Sequence, residues 1–479
     1  MSETMKPYPD YKDSGLPWCP RIPSHWELQP NRAFIRQRKA LVGDRHSKYT
    51  LLSLTKQGVI VRDLTKLKGK HSADMSTFQE VHPGDLVMCL FDVPETPRTV
   101  GRSDHYGMIT GAYTIFETTD TTAAKWLEAF YMAMDDRKLL SPLYSGLRNT
   151  IPRPKFLGTK TPTPTPDEQE RIVNFIGLLN RTVNRFIYNR RRLIEVLNEQ
   201  KQAIINRAVT RGLDPDVSLK PSGIEWLGDI PEHWETRRLR TVADFRVSNV
   251  DKHTKEGEVP VRLCNYTDVY KNTVVTADMP FMAATATRDE IEAFRLRIGD
   301  VVITKDSEDW QDIGVPALVA ETADDLVCGY HLAILRPRPN VAVGRFLSYA
   351  LQCRGVVAQL NLAAKGVTRY GLSHGAIKAI ALPVPPVEKQ EPIARHIDEA
   401  TASLNGAISR ATREIDLIRE YRTRLIADVV TGKVDVRHLA PPTGSEDLEE
   451  TIDELEPLDD AAGELEDEAL AGEVTHADD

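Results

Sequence analysis

The chain lacks the features of membrane-spanning, secreted and disulfide-stabilised proteins. No apolar run approaches the length of about 18 residues that a membrane span requires. The start, Met1 to Lys12, is polar and has no apolar segment of the kind found in secretory signals. The five cysteines are scattered and none forms a C-x-x-C pair. We therefore expect buried free thiols in a cytoplasmic protein.

Motifs of common catalytic sites are also absent. There is no G-x-x-x-x-G-K-S/T phosphate loop, no G-x-G-x-x-G after a strand, no H-E-x-x-H zinc motif, and neither motif of an amino-methyltransferase. A nuclease interpretation would pair Asp167, in Pro166-Asp167, with Glu199, in Glu199-Gln200-Lys201. They fall on one predicted helix, however, roughly 50 Å apart at about 1.5 Å per residue, too far to share a metal. We therefore predict no catalytic, cofactor-binding or metal-binding residues.

Charge is divided unevenly along the 479 residues. The net charge is −9, from 61 basic and 70 acidic residues. Residues 445–479 alone hold 16 acidic and no basic residues, so the rest of the chain has a net charge of +7. The tail is too acidic and too poor in aromatics to fold alone, and we predict a disordered, solubilising extension. The alternative is that this tail competes with an anionic ligand for the basic surface of the rest of the chain.

The body of the chain is a tandem duplication. The segment Ser14–Glu27 recurs as Ser222–Glu235 with eight identities at an offset of 208 residues. Residues 162–214 and 383–435 share fifteen identities at an offset of 221. Between these blocks the copies diverge, apart from echoes such as the Gly84-Asp85 and Gly299-Asp300 segments. Matching ends with divergent middles indicate one scaffold applied to two different targets.

The recurring His-Trp pair of each head, His25-Trp26 and His233-Trp234, has no carboxylate or cysteine at a matching place. We therefore predict a structural role. The tryptophan packs inward, and the histidine satisfies backbone groups.

The divergent middles predict mixed, mostly β domains. Short apolar runs bounded by Gly, Pro and Asp predict strands at residues 49–54, 85–91 and 113–116, and at 259–263, 300–304 and 331–335. One helix per copy is predicted near Ala123–Met134 and Val343–Leu351.

Each copy ends in a predicted long helix. Thr165 as N-cap and Pro166 at the first helical position predict one start, and Gly212 and Gly432 predict the ends. Apolar residues follow at alternating steps of four and three, as in a heptad seam. The predicted seams are Ile172, Ile176, Leu179, Val183, Phe186, Leu193, Leu197 and Ile204, and Ile393, Ile397, Ala400, Leu404, Ala407, Ala411, Ile418 and Leu425.

These patterns predict an α+β protein with a pseudo-twofold tandem duplication and two long antiparallel coiled-coil helices. Two separate partner-binding helices are the alternative. The predicted boundaries are residues 1–160 and 214–382 for the two domains, 161–213 and 383–438 for the helical segments, and 439–479 for the acidic tail.

Polar, basic loops in the middles are candidates for nucleic-acid contact, because Arg, Lys, Gln and Asn read base edges and Lys and Arg neutralise phosphates. Tyr or Trp beside a basic residue can stack on a displaced base. The candidates are Lys66, Lys68, Lys70, Arg98, Arg102, Tyr106, Arg148, Lys305, Trp310, Gln311, Lys365, Arg369 and Tyr370.

The heads, together with the Pro-rich lead-ins Pro162–Glu170 and Pro383–Glu391 and the helices that follow, resemble the specificity subunit of type I restriction–modification systems over nearly all of residues 8–438. The resemblance implies two target-recognition domains, each reading half of a split double-stranded DNA site, with the helices setting the gap. It also implies assembly with two copies of an adenine methyltransferase subunit, which would bind S-adenosylmethionine, and with a restriction/translocase subunit. The chain itself would have no active site. The acidic tail departs from the family pattern.

A second hypothesis is a scaffold that binds two protein partners without reading DNA. Its basic loops would then be ordinary solvated surface, and partner binding would be insensitive to salt.

Overall fold

The computed structural model describes residues 5–56, 58–62, 75–118, 120–366 and 369–439, which form two compact units. Unit 1 contains the described residues up to Arg190 and those from Arg413 onward, and unit 2 is Arg191–Thr412. Each unit therefore combines one mixed α and β body with parts of two long helices. The predicted acidic tail lies outside the described residues.

Unit 1 is built around an antiparallel sheet. Its strands are β1 (Tyr11–Asp13), β2 (Arg21–Pro23), β3 (Glu27–Pro30), β4 (Ile35–Gln37), β5 (Leu52–Thr55), β6 (Gly58–Val61), β7 (Gln79–Val81), β8 (Leu86–Met88), β9 (Val100–Arg102), β10 (Gly107–Ile109), β11 (Thr114–Thr118) and β12 (Lys160–Thr163). Its helices are α1 (Thr121–Asp135), α2 (Arg153–Gly158) and the first part of α3 (Pro166–Arg211). Four of these strands form the main sheet of unit 1. Their order is β4-β11-β8-β9, and all neighbours are antiparallel. Helix α1, capped by Asp120, lies against β9 and β11 and buries Trp126 and Phe130.

Unit 2 contains a larger sheet. Its strands are β13 (Leu219–Pro221), β14 (Asp229–Pro231), β15 (Glu235–Arg238), β16 (Ala243–Val247), β17 (Val259–Cys264), β18 (Val274–Val275), β19 (Met282–Ala286), β20 (Val301–Thr304), β21 (Asp306–Ser307), β22 (Pro316–Val319), β23 (Leu326–Cys328), β24 (Leu332–Pro337), β25 (Tyr370–Gly371) and β26 (Ala381–Val384). Its helices are α4 (Leu239–Val242), α5 (Tyr266–Tyr270), α6 (Arg288–Phe294), α7 (Gly344–Gln352), α8 (Arg354–Ala363), α9 (His374–Ala379) and the first part of α10 (Val387–Val430). The main sheet has the order β16-β24-β20-β22-β18, and a second sheet has the order β19-β17-β23.

The predicted secondary structure of the middles is present. The six predicted strands correspond to β5, β8 and β11 in unit 1 and to β17, β20 and β24 in unit 2. All four residues of β20 are buried, because both faces of this central strand are covered, and its sequence is accordingly a continuous apolar run. The two predicted helices are α1 and α7.

The duplicated sequence blocks form the same substructures in both units. The heads form the antiparallel hairpins β1–β2 and β13–β14. The strand after each head then pairs with the lead-in to a long helix, β3 with β12 and β15 with β26. These matched pairings confirm that the repeat is a shared scaffold.

The Gly-Asp echo marks a second shared feature, a turn closed by a buried ion pair. Asp85 is 3% exposed and receives a hydrogen bond of 2.7 Å from Arg38. Asp300 is 1% exposed and receives one of 2.7 Å from Arg336. Both aspartates also accept a backbone N–H three residues upstream. Each pair raises the pKa of its arginine, chiefly through the hydrogen bond to the aspartate.

The long helices follow the predicted bounds, and in unit 1 they run antiparallel. Arg190 pairs with Glu414 at 2.8 Å, and Asn184 pairs with Arg422 at 3.1 Å. Residue numbers therefore increase in opposite directions along the two helices. Gly212 and Gly432 follow the last turns.

The predicted seam of α3 holds over its first turns and then shifts. Ile172, Ile176, Leu179 and Val183 are buried, as predicted, but Ile187 and Ile205 are buried where Phe186 and Ile204 were predicted, and Leu193 is exposed. A helix of 3.6 residues per turn drifts by about 20° per heptad, or about 40° over two heptads. Phe186 and Ile204 therefore lie toward the edge of the buried face, and the adjacent Ile187 and Ile205 are buried in their place. In α10, Ile393, Ile397, Ala411 and Leu425 are buried, and Ala400, Leu404, Ala407 and Ile418 are half-buried.

The heads confirm one expectation and correct another. Trp26 and Trp234 are buried, as predicted. However, His25 does not satisfy a backbone group: its Nε2 lies 2.8 Å from Glu168 Oε2. The carboxylate partner was missed because it lies on α3, far along the chain. Its counterpart in the second copy, Lys389, is exposed, so this pairing is confined to unit 1.

Glu168 is the centre of a buried cluster that holds the N-terminal segment. Its Oε1 accepts hydrogen bonds from Tyr8 Oη at 2.6 Å and from Trp26 Nε1 at 3.1 Å. Arg437 lies over the Tyr8 ring at 4.9 Å, which adds the end of the described chain to the cluster. Burial and the Glu168 carboxylate raise the pKa of Tyr8, so this hydroxyl remains a donor.

The cysteines are as predicted. All five are buried and free. Burial raises the pKa of Cys19 to about 11, which keeps this thiol protonated and unreactive at neutral pH.

Replacing Glu168 with alanine tests the cluster. Glu168→Ala leaves the Tyr8 hydroxyl and the Trp26 indole N–H without their acceptor, and we expect it to lower the free energy of unfolding by about 2 to 4 kcal/mol. Urea denaturation followed by tryptophan fluorescence measures this loss. The matched control is Lys389→Ala at the equivalent exposed position, which we expect to change stability by less than about 0.5 kcal/mol. Equal losses in the two variants would contradict a specific role for Glu168.

Candidate nucleic-acid interface

Unit 2 brings four candidates together at the carboxyl end of β20. Lys305 follows this strand and leads directly into β21, which pairs with β25 through Ser307 and Tyr370. Lys365 forms an antiparallel bridge with Gly371, the second residue of β25. Arg369 immediately precedes β25. Residues that are 60 apart in the sequence thus form one surface.

A chain of polar contacts links this surface across three segments. Asp306 Oδ2 lies 2.9 Å from His331 Nδ1, and Arg369 Nη2 donates to His331 Nε2 at 3.2 Å. A guanidinium only donates, so His331 accepts at Nε2 and donates from Nδ1 to Asp306. His331 has a φ of 71°, a conformation that side chains other than glycine rarely adopt.

Asp306 is ionised in this arrangement. Burial alone would raise its pKa, but hydrogen bonds from Lys305 and His331 outweigh burial and hold the pKa below its usual value. The Lys305 ammonium lies 2.7 Å from Asp306 Oδ2 and is mostly covered, with 18% of its side chain exposed. Lys305 therefore helps to position the carboxylate, whereas Arg369 and Lys365 are exposed.

Aromatic side chains border the same surface. Tyr266 and Tyr270 stack with centroids 5.6 Å apart, and the Tyr266 hydroxyl lies 3.1 Å from Ser307 Oγ. Burial and Asp312 raise the pKa of Tyr270 to about 12. Trp310, at 43% exposure, begins a short 3-10 turn that also contains the exposed Gln311. Exposed rings beside basic groups form a surface suited to nucleic acid.

In unit 1, Tyr106 belongs to a smaller aromatic cluster. Its ring lies 5.5 Å from that of Tyr49 and 5.1 Å from that of His82, and its hydroxyl donates to Glu80 at 2.7 Å. Hydrogen bonding with Tyr49 and Glu80 raises the pKa of Tyr106, and the bond from Tyr106 lowers that of Glu80. Arg45 lies 5.9 Å from the centre of the Tyr49 ring and adds a positive charge.

Arg148 lies in a tight hairpin of unit 1. Ser145 and Thr150 exchange two backbone hydrogen bonds, which close the loop. Arg148 Nε donates to Asp92 Oδ2 at 3.1 Å, and the guanidinium carbon lies 5.7 Å from the centre of the Phe91 ring. The Arg148 side chain is nevertheless 64% exposed.

Arg98 and Arg102 have a different setting, against the acidic residues of α1 and its end. Arg98 Nη1 lies 2.7 Å from Asp136 Oδ1, and Arg102 lies 3.5 Å from Glu128. Their side chains are only 13% and 17% exposed. Both arginines thus make structural ion pairs. The candidates Lys66, Lys68 and Lys70 lie outside the described residues.

Three contributors to these surfaces were missed by the sequence reasoning, namely Asp92, His331 and Arg45. None lies in a motif. Asp92 and His331 are far in sequence from the residues they contact, whereas Arg45 lies four residues before Tyr49. One signal was available: Arg148 and Arg369 are separated by the same 221 residues that relate the two long helices.

Metal-ligating side chains are not grouped into a site in the described part of the chain. No group of three or more His, Cys, Asp or Glu side chains there could hold a metal ion. Asp167 and Glu199 lie on the single uninterrupted helix α3, as the sequence predicted. Among the described helices, none has the length and apolar character needed to cross a bilayer.

The fold and these surfaces define a two-unit, mixed α and β protein with a basic–aromatic loop surface in each unit. Residues 231–412 match the family model of the type I restriction modification DNA specificity domain. This segment holds the body of unit 2, including the Asp306, His331 and Arg369 surface. The matched segment includes the second lead-in, Pro383–Glu391, and agrees with the resemblance stated from the sequence.

Two specificity subunits from Methanocaldococcus jannaschii are similar to this chain. The type I restriction enzyme MjaVIII specificity subunit is 22% identical over 303 residues, and a protein named as the MjaX specificity subunit is 24% identical over 307 residues. The matched regions cover 59% and 60% of this chain and 64% and 63% of the relatives, so each match spans a little under two thirds of the relative.

One solved structure supports the fold. It concerns complex assembly and conformational transition of the type I R-M system, and its chain superposes with a TM-score of 0.55 at 13% identity. The superposition covers 85% of this chain and 98% of the other, so the fold extends over most of the molecule.

Alanine substitution at Arg98 tests its structural assignment. Arg98→Ala removes the ion pair with Asp136 and the longer contact with the buried Asp135, which keeps Lys138 as its cation. We expect this variant to lower the free energy of unfolding by about 1 to 2 kcal/mol. Lys365→Ala, at an exposed lysine, should leave stability within about 0.5 kcal/mol. Thermal or urea unfolding of the two variants makes the comparison. An unchanged stability of Arg98→Ala would show that Arg98 is not a structural residue.

Proposed function

We propose that this chain is the non-catalytic specificity subunit of a type I restriction–modification complex. The observation that carries the proposal is one scaffold built twice, with a different basic and aromatic loop surface on each copy. The DNA specificity domain match in the second copy supplies the ligand class. Each unit then reads one half of a bipartite double-stranded DNA target.

The exposed side chains support the proposal that each unit reads its own half-site. Arg369 and Lys365 in unit 2 and Arg148 in unit 1 are accessible, while the loops that hold them differ in sequence. Arginine donates two parallel hydrogen bonds to guanine, and lysine neutralises phosphate. A shared scaffold with different loops therefore gives two different half-site sequences.

The two long helices are proposed to set the gap between the half-sites. Helices α3 and α10 each contribute residues to both units, and their unit 1 portions pair antiparallel. A pseudo-twofold axis through this pair would place the two copies in equivalent positions. The number of helical residues between the units then fixes the spacing of the half-sites.

The same helices are proposed to dock two copies of an adenine methyltransferase subunit, which would carry the S-adenosylmethionine. Val196 and Leu417 are equivalent positions at the offset of 221, and both are exposed, at 37% and 54%. An exposed apolar residue at the same place on each helix supports two equivalent contacts. A restriction/translocase subunit would join this assembly in the cytoplasm.

Methylation mapping tests the main proposal. DNA exposed to the full-length chain with its methyltransferase partner should carry methyladenine within one bipartite sequence of constant gap, read by single-molecule sequencing. Binding should also weaken steeply with salt, because phosphate contacts release counterions. Salt-insensitive partner binding without any sequence preference would instead support the protein scaffold.

Shortening both helices tests the spacing proposal. Deleting residues 189–195 and 410–416 together removes one heptad from each helix, or roughly 10 Å of length. We expect both half-sequences to be kept and the gap to shrink by a whole number of base pairs, at most about three at roughly 3.4 Å each. A single deletion, of 189–195 alone, is the mismatched control and should disrupt the pairing. An unchanged gap in the double deletion would refute the role of the helices as spacer.

A further inference from the structure

The two surfaces contain one equivalent arginine each. Arg148 and Arg369 are separated by 221 residues, the offset of the long helices, although they lie in the divergent middles. Each lies in a loop closed by an antiparallel bridge, Ser145 with Thr150 in unit 1 and Lys365 with Gly371 in unit 2. The duplicated scaffold thus places an arginine at the same point of each unit.

Each arginine is also held by an acidic group from the same part of the sheet. In unit 1 the Gly84-Asp85 turn leads into β8, and Asp92 lies just beyond this strand. In unit 2 the Gly299-Asp300 turn leads into β20, and Asp306 lies just beyond it. Asp92 contacts Arg148 directly, whereas Asp306 reaches Arg369 through His331.

We propose that Arg148 and Arg369 are the paired base-reading arginines of this chain, each contacting a guanine in its own half-site. This inference rests on the proposed function. The contacting atoms would be the guanidinium N–H groups of each arginine and O6 and N7 of the guanine.

The acidic partner favours a base contact over a phosphate contact. A carboxylate beside a guanidinium reduces its net attraction for an anionic phosphate, because the two negative groups repel. The same carboxylate fixes the plane of the guanidinium, and a fixed plane lowers the entropy cost of two parallel hydrogen bonds to a neutral base edge. An arginine meant only to neutralise phosphate gains nothing from such a partner.

The unit 1 hairpin adds a second recognition group. Leu147 precedes Arg148 and is fully exposed at the tip of the closed loop. An apolar side chain held beside a base-reading arginine contacts a neighbouring thymine methyl group. Tyr370 follows Arg369 and is half-buried in β25, whereas Asn149 follows Arg148, so the residue after the arginine differs between the two units.

Selection from randomised DNA tests the assignment. The full-length chain, in complex with its methyltransferase partner, is incubated with a pool of randomised duplexes, and bound sequences are read for the wild type, Arg148→Lys and Arg369→Lys. We expect each variant to lose discrimination at one guanine of one half-site, about tenfold to a hundredfold, and to keep the other half-site intact. Lysine retains the charge, so the salt dependence of binding should stay nearly constant.

Two further variants test whether the orientation of each arginine, and not only its charge, gives the base preference. Asp92→Asn and Asp306→Asn keep the arginines but weaken their orientation, and each should relax the same base position as its arginine variant. Arg295→Ala is the matched control, because it breaks an exposed ion pair with Asp324 in unit 2 outside the loop. Thermal unfolding of every variant confirms that the fold is kept.

The outcomes distinguish three cases. Uniform weakening on all sequences, with the base preferences of both half-sites unchanged, would make both arginines phosphate contacts and overturn the inference. Selected sequences identical to those of the wild type and Arg295→Ala would also overturn it, leaving only surface ion pairs. A wild type that selects no bipartite sequence would refute the proposed function itself.

Discussion

The packing of a head tryptophan on the glycine that ends a long helix is the contact on which each unit depends. A Cβ atom on Gly212 would lie 3.1 Å from the Trp234 ring, and one on Gly432 would lie 2.3 Å from Pro23 and 3.3 Å from the Trp26 ring. In unit 2 this contact is local, since the head follows its helix directly. In unit 1 the same contact joins the first head to the second helix, so it brings the two ends of the described chain together. The Glu168 cluster, which has no counterpart at Lys389, supports this second, more costly closure.

The segments between the shared ends of the two copies can differ in sequence wherever the main sheet of each unit does not constrain them. The buried pairs of Asp85 with Arg38 and of Asp300 with Arg336 preserve the turn that starts a central strand in each unit. Burying either carboxylate alone would be strongly unfavourable, so the arginine must be retained wherever the aspartate is. The loops beyond those strands have no such requirement. Variation there changes the side chains offered to a ligand without changing the sheet, as the proposed function requires.

Basic residues in this protein have two uses that composition cannot separate. Arg98 and Arg102 compensate acidic residues of α1 and are mostly covered, whereas Arg148 and Arg369 have acidic partners yet stay exposed. The first two stabilise a domain. The second two are oriented without being buried, and the carboxylates beside them temper the positive charge of the surface. Some basic residues of the body are therefore neutralised by ion pairs inside the domains, and only the others contribute positive charge at the surface.

The sequence by itself determined the duplication with its matched heads, the bounds of the long helices and the central strands, because these depend on local patterns such as apolar runs, caps and glycines. It also predicted the buried thiols and the family resemblance. Only the tertiary structure decided which basic residues are exposed, where the helix seam shifts and which groups meet across the sheet. Asp306, His331 and Arg369 come from three separate segments, and Glu168 reaches His25 across 143 residues. Such contacts arise from strand order and helix packing, which no local pattern in one sequence encodes.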